Sequence, residues 1–250
     1  MRRNRPGNRF AQQAGYTLVE LATVLGILGV LTLTMNSAVE SMQQARLHNI
    51  SQADAEAARQ ALRSYVLRNK RLPCPDTSAH GDRGRSDVAC MGSKGWLPYE
   101  TLGLDIPVRS RRLLYGVHRA GGIDLVDPAA SSVDELDLEG RSGLAALLAN
   151  LAVATPGTAA PWYSTEFNDS NATCAGANPD NPAFVLVAPA ADLDGSGDPD
   201  SGFDGPNRGF ATSAELCVAS PSRPTNARYD DVVVAEGATA LLGWLAHTTR

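Results

Sequence analysis

Ala14-Gly15-Tyr16-Thr17-Leu18-Val19-Glu20 stands where the chain changes character. Before it lie Arg2, Arg3, Arg5 and Arg9 and no acid; after it, residues 21–39 carry no ionisable side chain. These 19 residues, wound as a helix, extend about 28 Å, close to the hydrocarbon thickness of a bilayer. The residues therefore read as a basic leader over 1–15 and a transmembrane helix over 16–39. Arginines on one side only put the N-terminus in the cytoplasm and the rest of the chain across the membrane. An ordinary secretory signal is the alternative. It would carry an uninterrupted apolar core and a small-residue cleavage site beyond it; here Glu20 interrupts the core and no clear Ala-x-Ala site follows.

The same stretch resembles the N-terminus of type IV prepilins and type II secretion pseudopilins. The resemblance covers about 30 of the 250 residues. It implies cleavage by a prepilin peptidase between Gly15 and Tyr16, and N-methylation of Tyr16. The family usually has phenylalanine after the cut, and Tyr16 departs from that. Glu20 matches the family's glutamate near the head of the mature chain. A carboxylate in the apolar part of a bilayer costs roughly 2.5–3.5 kcal/mol, so it calls for a partner. It can pair with its own chain's amine or with a neighbour's. The resemblance implies the neighbour, as an assembly contact; a glutamate resting unpaired among headgroups is the alternative. Many major pilins have a proline further along this helix. No proline occurs here between Pro6 and Pro73, which leans toward a minor or accessory subunit.

Past residue 39 the apolar residues Met42, Ala45, Ile50, Ala53, Ala57, Ala61, Leu62, Tyr65 and Val66 recur at three- and four-residue steps. That predicts an amphipathic continuation over 40–70, bounded by Asn69 and Pro73. Residues 71–250 form a globular head. The expected fold class is α+β: a long N-terminal membrane-spanning helix packed on a head built around an antiparallel sheet, in the lollipop form of pilins. Strands are expected at 113–118, 123–126, 183–188 and 231–235, with helices at 143–153 and 238–247. Residues 156–181 and 192–209 read as loops. Leu72-Pro73-Cys74-Pro75 and Gly95-Trp96-Leu97-Pro98-Tyr99-Glu100-Thr101-Leu102-Gly103 resemble paired motifs in the first head loop of a group of prepilin-like proteins. Trp96 and Leu102 are candidates to cover the helix end.

The cysteines are Cys74, Cys90, Cys174 and Cys217. Without a Cys-x-x-Cys pair, zinc is disfavoured. Two disulfides are expected in an oxidising periplasm. Of three pairings, Cys74–Cys90 and Cys174–Cys217 are favoured because each lies within one stretch of chain; four free thiols are the alternative.

The loop Asp192-Leu193-Asp194-Gly195-Ser196-Gly197-Asp198-Pro199-Asp200, with Asp204 beyond it, alternates carboxylates and glycines, a composition that can wrap oxygens around calcium. Asp192, Asp194, Asp198 and Asp200 are the candidate metal ligands. Phe203 stands where an EF-hand would place its glutamate, so the loop is no EF-hand, and a solvated acidic loop is the competing reading. Some pseudopilins hold calcium in a head loop. No other cofactor is expected.

The net charge is -5. Removing the four leader arginines gives -5 - 4 = -9 for the mature chain, which disfavours nucleic acid as a partner. Gly-x-Ser-x-Gly, His-Glu-x-x-His and phosphate-loop patterns are absent, so no enzyme is expected. The leading expectation is a structural subunit, a minor pilin or pseudopilin. Its partners would be prepilin peptidase, other pilin subunits, the inner-membrane assembly platform and membrane lipid. Its place would be the inner membrane, single-pass, with a periplasmic head, or a pilus after assembly. The alternative is a membrane-tethered or surface-displayed calcium-dependent binding module.

Overall fold

The computed structural model describes residues 17–129, 143–164, 174, 178–193, 202–226 and 228–248, without the side chains of 33–38 and 40. The cleavage pair Gly15 and Tyr16 lies outside the described residues, as do Asp194, Asp198 and Asp200. The chain divides into two compact units, residues 1–43 and 44–250.

Helix α1 spans Leu18–Asn69. Thr17 and Glu20 start it with a reciprocal cap: the Glu20 N–H donates to Thr17 Oγ1 (3.3 Å), and the Thr17 N–H donates to Glu20 Oε2 (3.4 Å). This is the capping box, which satisfies two amides that the first turn would otherwise leave orphaned. The helix ends at Lys70, which takes a left-handed φ of 53° and donates its N–H to the Val66 carbonyl (2.7 Å).

Among the described residues, no helix is long and apolar enough to cross a membrane. This corrects the membrane-spanning helix over 16–39 in the expected fold class, and with it the single-pass inner-membrane placement. Counting ionisable residues alone treated Thr32, Thr34, Asn36 and Ser37 as if they were apolar.

Within the second unit, the remaining elements follow in order: β1 (Lys94–Trp96), α2 (Tyr99–Leu102), β2 (Leu114–Val117), β3 (Arg119–Ala120), β4 (Ile123–Asp124), α3 (Leu144–Val153), β5 (Trp162–Ser164), β6 (Pro179–Asp180), β7 (Phe184–Ala188), α4 (Pro206–Thr212), β8 (Cys217–Val218), β9 (Val232–Glu236) and α5 (Ala238–Thr248). The fold class is α+β. The main sheet has the order β1-β2-β7-β9, antiparallel throughout. A smaller sheet, β6-β5-β8, joins its last pair in parallel.

Side chains of a strand alternate between faces, and here both faces are buried. Tyr115, Val117, Phe184, Leu186 and Ala188 join one core with Ala55, Ala58, Leu62 and Val66 of α1, Leu144 and Leu148 of α3, and Leu241 and Leu245 of α5. Leu114, Val185, Val187 and Val233 join a second core with Phe203, Phe210, Val218 and Tyr229. Trp96 packs against that second core, its ring 6.2 Å from Phe203. It does not cover the helix end, whereas Leu102 belongs to the α1 core. Two disulfides, Cys74–Cys90 and Cys174–Cys217, complete the unit.

Candidate metal centre

Three buried aspartates converge where the acidic loop, α4 and β9 begin. Asp204, Asp230 and Asp231 each offer a carboxylate oxygen, and these oxygens lie within 4.8 Å of one another. Asp204 is wholly buried, and its two neighbours nearly so.

The local chain explains why they meet. Gly205 takes φ 53°, a conformation open to glycine, and Pro206 then opens α4. The turn keeps Asp204 inside while Phe210 enters the second core. Asp230 and Asp231 immediately precede β9, whose first residue pairs with Ala188 of β7. Backbone amides orient the carboxylates. Leu193 N–H donates to Asp204 Oδ1 (3.0 Å), and Asp230 N–H donates to Asp204 Oδ2 (3.2 Å). Ala191 N–H reaches Asp230 Oδ1 (3.0 Å), and Asp204 N–H reaches Asp231 Oδ2 (2.8 Å). Asn207 donates from Nδ2 to Asp231 Oδ2 (2.9 Å) and accepts the Ala219 N–H at Oδ1 (2.9 Å).

Burial, together with the like charges of Asp204 and Asp230, holds the Asp231 carboxyl well above the usual carboxylate range. Burial also raises Asp230, against the opposing pull of the Ala191 amide and His48. Tyr229, buried beside Asp231, is raised as well, first by desolvation. Arg223 stacks its guanidinium 3.9 Å over the Tyr229 ring. His48 of α1 places Nδ1 3.0 Å from the Asp230 carbonyl oxygen. A cleft of about 560 Å³ runs past the site, lined by His48, Gln52 and Glu56 on α1 and by Arg223 and Asp231.

This arrangement can hold a divalent cation such as calcium. Of the four expected ligands, only Asp192 lies among the described residues, and it is not in the cluster. The foot of its loop is at the cluster all the same, through the Ala191 and Leu193 amides. Asp230 and Asp231 were not singled out from the sequence. The available signal was two adjacent acids at the head of an apolar strand, a place where burial is certain and charge unexpected. His48 is half-buried at the site.

No protein-family model, curated protein or solved structure matches this chain.

Proposed function

We propose that the chain is a structural subunit of the pilin or pseudopilin type, released from its leader by cleavage between Gly15 and Tyr16 and assembled through the first half of α1. Prepilin peptidase and further pilin-like subunits are its partners, and the reading includes no catalytic activity. One observation carries it. Leu18, Val19, Leu21, Val24, Leu25, Ile27, Leu28, Val30 and Leu31 are each at least half exposed. At 100° per residue they point in every direction round the helix. A helix that is apolar all round belongs in the interior of something larger, and a contiguous apolar surface of this size marks an interaction site. Neighbouring helices of other copies supply that interior. Glu20, one turn into the helix, is the proposed partner of a neighbour's Tyr16 amine.

Single cysteines placed along residues 18–31, in a chain whose native cysteines remain paired, test the reading. Subunit-to-subunit crosslinks at several helical phases are expected, with mass spectrometry showing N-methylated Tyr16 as the first residue. An intact Met1 terminus in cells containing the peptidase, together with no crosslinks, overturns it. The acidic centre favours a second reading, a calcium-dependent binding module, for which crosslinks along α1 would be absent.

A further inference from the structure

We propose that Asp204, Asp230 and Asp231 form a binding site for a hard divalent cation of the calcium class, approached from the cleft beside His48 and Glu56. The inference goes beyond the assembly reading and does not rest on it.

Three carboxylates gathered in a buried place repel one another and lose their hydration. They must take up protons, or a cation must join them. Among the described residues, Asp231 Oδ1 has no hydrogen-bond partner, in a residue only 4% exposed. An orphaned buried oxygen calls for an explanation, and a bound ion is one.

The geometry suits an ion. Oxygens held 2.3–2.6 Å from a common centre lie within roughly 5 Å of each other, and the three carboxylates meet that limit. A carboxylate oxygen has two lone pairs. Asp231 Oδ2 accepts two N–H donors, which leaves Oδ1 as that residue's ligand atom. The amides of Ala191, Leu193, Asp204 and Asp230 fix the carboxylates from behind, as an outer shell does in a metal site. An all-oxygen donor set selects a hard cation over zinc or copper. Three carboxylates supply three to five oxygens in no fixed octahedron, which favours calcium over magnesium. The ion would tie together the foot of the acidic loop, the start of α4 and the start of β9.

The test uses the full chain, stripped with a chelator and titrated with calcium chloride or magnesium chloride by calorimetry and thermal melting. One calcium per chain is expected, with a rise in Tm and weaker binding of magnesium. Asp231→Asn keeps the side-chain shape and should lower calcium affinity at least tenfold, while its metal-free Tm equals or exceeds that of the wild type. Asp230→Asn is the second variant should the first not fold. No heat and no Tm change at millimolar calcium would show that protons neutralise the cluster, and would overturn the proposal. So would wild-type affinity in the foldable variants, or binding that Asp194→Ala abolishes and Asp231→Asn leaves intact.

Discussion

Arg63 of α1 donates from Nη2 to Glu236 Oε1 at the end of β9, across 2.8 Å, where the carboxylate side chain is 1% exposed. Arg59 Nη1 stands 3.8 Å from the other oxygen of the same group. A buried acid and two arginines one turn apart on α1 thus fix how the helix meets the sheet. Removing one member of a buried pair strands the other charge. Arg63→Ala should therefore destabilise the fold by about 2–3 kcal/mol, since Arg59 compensates in part. Arg63→Met with Glu236→Leu should cost less than either single change. Urea unfolding of the four proteins measures both; a double variant weaker than both singles would mean the pair contributes more than its desolvation costs.

The capping box separates two roles of Glu20. Glutamine caps a helix nearly as well as glutamate but cannot pair with an amine as a charge. Glu20→Ala should lose the half of the box made by its carboxylate, while the Thr17 Oγ1 cap on the residue-20 amide remains, and should lose assembly as well. Glu20→Gln should keep helix content near Thr17 and still fail to assemble. Amide exchange over the first turns reads the first property, and copurification with sheared fibres the second. Normal assembly of Glu20→Gln would leave Glu20 with a capping role alone.

Acidity acts on the aspartate cluster with a definite sign. Asp230 and Asp231 have folded-state pKa values raised above the unfolded value of about 3.9. The native state then holds more protons than the unfolded one, and stability falls as pH rises from about 4 through the raised values. Asp204, Tyr229, His48, Glu56 and Arg223 all face this region, and His48 and the Ala191 amide pull Asp230 downward against its burial. In chelator, the Tm advantage of Asp231→Asn over wild type should be larger at pH 7 than at pH 5. An advantage that does not change with pH would show that Asp231 does not titrate in this window.

Gly116 lies in β2 with no room for a side chain. A Cβ there would sit 2.9 Å from Phe210 Cζ and 3.0 Å from both Pro161 Cβ and Val185 Cγ1. Gly116→Ala should cost about 1–3 kcal/mol through overpacking of the second core, read as a lower urea midpoint with an unchanged slope. A neutral effect would mean that the core around Phe210 yields easily.

Where a signal was long, the sequence was readable. The stripe through Leu62 and Val66 marked the second half of α1, and the continuous run Phe184–Ala188 marked a strand buried on both faces. Two- and three-residue strands such as β5 and β8 are too short to show alternation, and both went unread. Helix α4, Pro206–Thr212, lay partly in a glycine-rich stretch read as loop; Phe210 in the second core and the bonds of Asn207 hold it. The aspartate cluster was half legible. Asp204 closed a visibly acidic loop, but Asp230 is 26 residues further on, and only the pairing of β9 with β7 brings them together. The membrane reading failed because absence of charge was taken for hydrophobicity.

The strand order of the main sheet bears on how the chain reaches its fold. Tyr115 pairs with Leu186, a separation of 186 - 115 = 71 residues, so the central pairing closes a long loop before local contacts can reward it. Non-local sheets of this kind fold slowly, in milliseconds to seconds rather than microseconds. Strand β7 also lies inside the 43-residue loop closed by Cys174–Cys217. Oxidation of that pair ahead of sheet formation would shorten the search for β8 and α4 while leaving the β2–β7 search untouched. The order of thiol oxidation and strand pairing thus sets how long the Val185 and Val187 face of β7, which Phe210 and Val218 cover, stays exposed to other chains.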